Sequence, residues 1–307
     1  MTEQHLKIIH KIIWLRLAQI AVNNRYKKGD FNVPIHLAMG HESIAIAVDS
    51  VMNKTDCLFL THRNIHYNLG RMGTLKEDLD EYYLRDSGLA QGHLGSMNLS
   101  NKDKNIIYSS SILGNNLAVG SGFALGNKIN NPQGVVFIST GDGAIEEGVF
   151  YESLLFLKSN NLPSIIIVEN NEWSLGTRIH ERRANIDLKK LTSSFDIEYL
   201  LLEGNDPFEY LNHLKLLRSN AELNKTPVVV EVKLTTFGFW RLKNADYPEG
   251  KFVNYHAGPA QDLQVKEYPL IGSSFDDPLY VLKNYLSIYE LKKIAVDLRE
   301  QIMEEIS

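Results

Sequence analysis

Two short segments place oxygen ligands where a folded chain would expose them: Thr140-Gly141-Asp142-Gly143-Ala144, which follows one apolar run, and Asn170-Asn171, which ends another. The carboxylate of Asp142 and the amide oxygen of Asn171 are hard donors. Mg²⁺ takes such oxygens in an octahedron, usually one or two from protein and the rest from phosphate and water. A carboxylate, an amide and a diphosphate would together meet that demand. Gly141 and Gly143 let the backbone come close to a ligand, and the helix expected next would offer unpaired N–H groups to an anion. A Gly-Asp-Gly turn alone is weak evidence, and the second segment is what strengthens it.

The elements that must position these residues are legible as apolar, β-rich runs at 135–139, 165–169, 198–202 and 228–234, with helical stretches between them. Alternation of this kind predicts an α/β fold, a parallel sheet flanked by helices on both faces, because parallel strands need long crossovers. One helix, expected at 145–159, separates the first two strands. They then form a right-handed βαβ unit whose carboxyl ends open onto one edge, so Asp142 and Asn171 can face a single point. The stretch 112–126, with Gly114, Gly120, Gly122 and Gly126, predicts a helix whose backbone comes close to another element, within the subunit or at a subunit interface. Residues 246–274 read as a long loop and 287–306 as a closing helix. The expectation is one domain over 1–307, with a long loop near 237–275.

Composition narrows the setting. With 307 residues, 44% hydrophobic and 22% charged, the chain is long enough to bury a full core. A net charge of -5 with scattered Lys and Arg gives no basic stripe, so no nucleic acid partner is expected. Cys57 is the single cysteine, which fits a reducing cytoplasm. Residues 6–22 are apolar but interrupted by Lys7, His10, Lys11 and Arg16, the pattern of an amphipathic helix rather than a signal peptide or membrane span. No membrane association is expected.

The spacing of Gly-Asp-Gly, 26 residues, then Asn-Asn resembles the signature of thiamine diphosphate enzymes. The wider stretch 141–177 is similar to the alpha subunit of the thiamine-dependent 2-oxoacid dehydrogenases, the pyruvate and acetoin dehydrogenase type. His36-Leu37-Ala38-Met39-Gly40-His41-Glu42 resembles that family's segment ending in Gly-Gln-Glu-Ala, Thr61-His62-Arg63 its Thr-His-Arg, and Gly92-His93-Leu94-Gly95-Ser96-Met97 its Gly-Lys-Gly-Gly-Ser-Met. Ser111-Ile112-Leu113-Gly114 resembles its Gly-Ile-Val-Gly, and Asp276-Asp277-Pro278-Leu279 also matches. Only 237–274 is poorly covered. The resemblance implies a thiamine diphosphate-binding fold. It implies that Asp142, Asn171 and the main-chain oxygen of Trp173 hold Mg²⁺, and that Gly141, Gly143, Ala144, Arg63 and His62 hold the diphosphate. An Arg fork suits phosphate oxygens on physical grounds too. Ser111 and Leu113 would touch the rest of the cofactor. The glutamate that activates the cofactor would come from a beta subunit, in an alpha2beta2 heterotetramer, and Glu42 would be structural.

The sequence also departs from the family's pattern. Where pyruvate-type relatives carry His-Gly-His-Ser, this chain reads Phe237-Gly238-Phe239-Trp240-Arg241. His256-Ala257-Gly258-Pro259 instead matches the His-x-Gly-Pro of other relatives, which makes His256, with His62, the expected acid, base or phosphate contact. Ser-Met-His becomes Ser96-Met97-Asn98, and the histidine after Thr-His-Arg is shifted from Ile65 to His66. The expected function is decarboxylation of a small-molecule 2-oxoacid with acyl transfer. Glu146-Glu147-Gly148 resembles the Glu-Gly of transketolases, which keeps a transketolase-like transferase or carboligase as the alternative. A non-catalytic scaffold or regulatory subunit is the third.

Overall fold

In the computed structural model, which describes residues 2–130, 133–261, 263, 265 and 267–307, the first half runs α1 (Glu3–Lys27), α2 (Glu42–Val51), β1 (Cys57–Thr61), α3 (Ile65–Met72), α4 (Lys76–Tyr82), β2 (Ile106–Ser110) and α5 (Asn115–Asn130). There follow β3 (Val136–Gly141), α6 (Gly148–Ser159), β4 (Ser164–Asn170), β5 (Trp173–Ser174), β6 (Thr177–Arg178), α7 (Ile179–Arg182), α8 (Leu188–Ser194) and β7 (Glu198–Leu202). The remainder comprises α9 (Pro207–Asn224), β8 (Pro227–Lys233), β9 (Phe239–Leu242), β10 (Lys251–Asn254), α10 (Pro278–Val281) and α11 (Ile288–Glu305). Six strands form one sheet in the order β2-β1-β3-β4-β8-β7, and every neighbouring pair is parallel.

The sheet is buried on both faces, as the strand sequences require. Phe137, Ile165, Ile167, Val228 and Val230 point into a cluster with α1, α2, α9 and α11. Their neighbours Val136, Ile138, Ile166, Val168 and Val229 point the other way, onto Leu117 of α5 and Phe150, Leu154 and Leu157 of α6. The period of two therefore separates two cores along strands that are apolar throughout. Among the described residues, no helix is long and apolar enough to cross a membrane.

β1 and β2 are additions to the strands read from sequence. Cys57-Leu58-Phe59-Leu60-Thr61 is too short and too uniformly apolar to tell strand from helix by period. The expected long loop at 246–274 is partly regular, because β10 pairs antiparallel with β9, from Lys251 opposite Leu242 to Asn254 opposite Phe239. Asp262, Gln264 and Lys266 of that stretch lie outside the described residues. The glycines of 112–126 divide. A Cβ on Gly120 would meet Ile138 at 2.8 Å, so α5 lies hard against β3, whereas one on Gly122 or Gly126 would meet nothing within 4 Å.

One ionic cluster joins the two ends of the chain. Arg16 of α1 binds both carboxylate oxygens of Glu42 at 2.6 and 3.0 Å and Asp277 at 3.0 Å, all three side chains being fully buried. Asp277 also accepts N–H groups from Ile271, Gly272 and Leu279. Arg16 is the cation that both carboxylates share, and removing it would leave two buried carboxylates uncompensated. Glu42 is thus structural, in keeping with the reading of its segment.

Candidate active site at the carboxyl edge of the sheet

A cleft opens at the carboxyl ends of β1, β3 and β4, the edge where an open parallel sheet gathers ligands. β3 and β4 are in register through Gly141 opposite Glu169, so the residues that follow each strand emerge side by side. Asp142 and Asn171 both line this cleft, with Trp173, Arg63, His62, Gly141, Gly143, Ala144, Leu113 and His256.

Ser111 does not. β2 ends at Ser110, which faces the cleft, and Ser111, just past the strand, is exposed with its N–H on Asn98 Oδ1. A second difference concerns the turn after β3. The predicted helix start is a 3₁₀ turn, Ala144–Glu146, and Glu147 is extended (ψ 140°) before α6 begins at Gly148. The N–H groups nearest Asp142 therefore belong to that short turn. Gly143 is required by packing: a Cβ there would lie 2.5 Å from Ser174 Oγ.

Asp142 is buried, and Arg182 Nη2 stands 2.5 Å from its Oδ2. Burial pushes its carboxyl up to about 6 against the pull of Arg182. Arg182 and Arg183 also converge on Glu146 Oε1, at 2.6 and 2.8 Å. These contacts tie α7 to the cleft. Sequence reading missed them because the hairpin of β5 and β6 is what folds Arg182 back onto Asp142; the run Glu181-Arg182-Arg183 is its only trace.

Arg63 presents a cation with no carboxylate bound to it. Its guanidinium donates to the carbonyls of Leu37 and His256, and burial lowers its pKa. Around it stand His62, His256 and His36, with ring centroids 4.6 Å apart for His36 and His62 and 4.9 Å for His36 and His256. Burial first, then the charge of Arg63, holds His62 and His256 down to about 4 and His36 to about 2, so all three rings are neutral at pH 7. Among the described residues, His36 Nδ1 and Thr140 Oγ1 are buried atoms without a hydrogen-bond partner. A guanidinium held by two carbonyls, with no carboxylate on it among the described residues and neutral imidazoles beside it, has the chemistry to hold an oxyanion. His36, quoted only as part of a motif, joins the site because the 36–41 segment runs beneath Arg63.

His66 turns away from the cleft. It and His41 bracket Glu169, each at 3.0 Å, and Tyr67 donates to the same carboxylate at 2.7 Å. His41 reaches on to Thr236 Oγ1 at 2.8 Å, and Asn171 Nδ2 donates to that oxygen at 2.7 Å. The segments meet because Gly40 (φ +105°) lets backbone touch backbone; a Cβ there would fall 1.9 Å from the Thr235 carbonyl oxygen.

With this geometry in view, the relatives are informative. A family model described as Dehydrogenase E1 component matches residues 12–237. The chain belongs to the dehydrogenase E1 component family. It is an E1 alpha-type subunit of a 2-oxoacid dehydrogenase. Over 300 residues it is 31% identical to the pyruvate dehydrogenase E1 component subunit alpha of Rickettsia prowazekii, covering 97% of this chain and 91% of that protein. The corresponding protein of Rickettsia bellii is 27% identical over 306 residues, covering 99% and 90%. Among solved structures, transketolase from Campylobacter jejuni superposes with a TM-score of 0.59 at 16% identity, over 99% of this chain and 49% of that one. The E1 alpha-type chain thus shares a fold with transketolase and spans about half of its length.

Proposed function

We propose that this E1 alpha-type subunit binds thiamine diphosphate through Mg²⁺ and, with a beta subunit in an alpha2beta2 heterotetramer, decarboxylates a 2-oxoacid and passes the acyl unit to lipoamide or a similar acceptor. The observation that carries the reading is the meeting of Asp142, Asn171 and Arg63 in one cleft. The donor set fits: carboxylate, amide oxygen and the Trp173 carbonyl suit a hard divalent cation, and Arg63 is a half-buried cation that, among the described residues, has no carboxylate partner. A cytoplasmic setting fits Cys57, whose thiol burial holds up to about 11, far from reactivity.

In this reading Asp142, Asn171 and the Trp173 carbonyl hold Mg²⁺, and Arg63, with Gly143 and Ala144, holds the diphosphate. When bound, thiamine diphosphate supplies the electron sink that lets a 2-oxoacid lose carbon dioxide. The chain's own side chains do the rest. Leu113 and Ile112 present apolar surface at the mouth, which limits water. His62 and His256 are neutral at pH 7, so a free ring nitrogen of either can accept a hydrogen bond from substrate or acceptor and orient it. The relatives' name makes pyruvate the first substrate to assay. A carboligase or transketolase-like transferase is the second reading, favoured by the hairpin of β9 and β10 where pyruvate-type relatives carry a histidine segment.

Co-purification with a beta subunit, followed by calorimetric titration, tests the binding claim. Wild type should bind thiamine diphosphate only with Mg²⁺, and Asp142→Ala should lose that binding while keeping its fold by circular dichroism. Wild-type affinity in the variant would remove Asp142 from the ligand set. Turnover of a 2-oxoacid with an artificial electron acceptor would decide between the two reactions, since no decarboxylation would leave the transferase.

A further inference from the structure

We infer that Thr236 and His41 are positioning residues that fix which end of the Asn171 amide faces the cleft, so that its oxygen and not its nitrogen is offered to a cation. The inference rests on the proposed cation site. It deepens that reading by naming groups that act on the cation through Asn171.

The polarity of the hydrogen bonds runs in one direction only. Glu169 accepts from His66 Nε2, from Tyr67 Oη and from His41 Nδ1, at 3.0, 2.7 and 3.0 Å, which is the behaviour of a carboxylate. The proton of His41 therefore sits on Nδ1. Burial disfavours a charged His41, so its Nε2 carries a lone pair. The Thr236 hydroxyl, 2.8 Å away, spends its one proton there. What Thr236 then turns toward Asn171 is a lone pair. That oxygen can only accept, and the amide group it meets at 2.7 Å must be the NH₂ end. A flipped amide would set two oxygens against each other with no proton between them. Glu169, His41, Thr236 and His66 are all buried, so a flip would leave the Thr236 oxygen facing the amide oxygen where a lost hydrogen bond is costly.

On its other side the amide oxygen takes the Trp173 N–H at 3.0 Å with one lone pair, which leaves the second free. The orientation is thus held from both ends of the amide. The parts come from four places in the chain: the end of β4 supplies Glu169 and Asn171, the segment before α2 supplies His41, α3 supplies His66 and Tyr67, and the segment after β8 supplies Thr236. Outer partners of this kind change metal affinity by about 10- to 100-fold when removed.

The test uses the full chain with its beta subunit and measures Mn²⁺ affinity in the presence of thiamine diphosphate by the loss of the free-ion paramagnetic resonance signal. Thr236→Val keeps shape and removes the hydroxyl, whereas Thr236→Ser keeps it. His41→Leu removes both ring nitrogens, whereas His41→Gln retains an acceptor and a donor. The expected result is about 10- to 100-fold weaker Mn²⁺ binding for Thr236→Val and His41→Leu. Thr236→Ser and His41→Gln should stay within about threefold of wild type, a rescue that loss of packing alone would not give. Wild-type affinity in Thr236→Val, or equal weakening in Thr236→Ser, would overturn the inference. A wild type that binds no Mn²⁺ would instead overturn the cation site beneath it. If His41→Leu does not fold, the Thr236 pair decides.

Discussion

At the scale of single residues, the cleft depends on small contacts that tolerate little addition. Gly143 has ordinary dihedrals (φ -76°, ψ -33°), so alanine is no strain on the backbone there; the objection is Ser174, whose Oγ and Cβ would lie 2.5 and 2.8 Å from the new carbon. Gly143→Ala should weaken thiamine diphosphate binding by about tenfold or more, equivalent to about 1.4 kcal/mol, and Ser174→Gly in the same chain should restore most of it. Calorimetry on the single and double variants checks this, and unchanged affinity in the single variant would refute it. Asp142 and Asn171 were legible in the sequence because their types and their places after apolar runs state a chemistry. Arg182, His41 and Thr236 were not, because each reaches the site through a turn or a backbone contact that no spacing declares.

At the scale of elements, the main sheet was readable where strands are long and bounded by turns, as at β3, β4, β7 and β8. β1 and β2, short runs set in the irregular first half of the chain rather than in the strand–helix alternation that exposed β7, gave no period to read. α4 shows a different kind of cost. Asp78 is fully buried there, with the equally buried Tyr82 hydroxyl, four residues on, as its neighbour. Burial, reinforced by Glu77, pushes the Asp78 carboxyl from 3.8 up to about 8. Between those two values the folded chain keeps a proton that the unfolded chain releases, so stability falls as pH rises through that window. Asp78→Asn, which cannot ionise, should therefore raise stability at pH 8 by about 1–2 kcal/mol, or roughly 2–4 °C in melting temperature, with the gain shrinking toward pH 4. Denaturant melts at the two pH values measure it. An equal effect at both would show that ionisation is not the cause.

At the scale of the whole molecule, α5 has one face spent and one unspent. Gly120 lies against β3, while Val119, Gly122, Gly126 and Ile129 line up at helical spacing on the outside, with Val119 37% and Ile129 73% exposed. Such a stripe suits a partner's helix, in keeping with the proposed beta subunit. Val119→Glu with Ile129→Glu should leave the chain's own melting curve within about 2 °C and abolish its co-elution with the beta subunit in size-exclusion chromatography; intact assembly would show that the partner docks elsewhere. The buried cluster of Arg16, Glu42 and Asp277 bears on where this molecule can be divided. The family match stops at residue 237, yet the third member of the cluster stands at 277. A fragment trimmed to that match would keep every candidate ligand except His256 and still take Asp277 and the Pro269 carbonyl from Arg16, leaving Glu42 as its partner. A piece that keeps this buried cluster whole therefore reaches past the cleft to the turn before α10, the part of it that a ribosome makes long after the first helix.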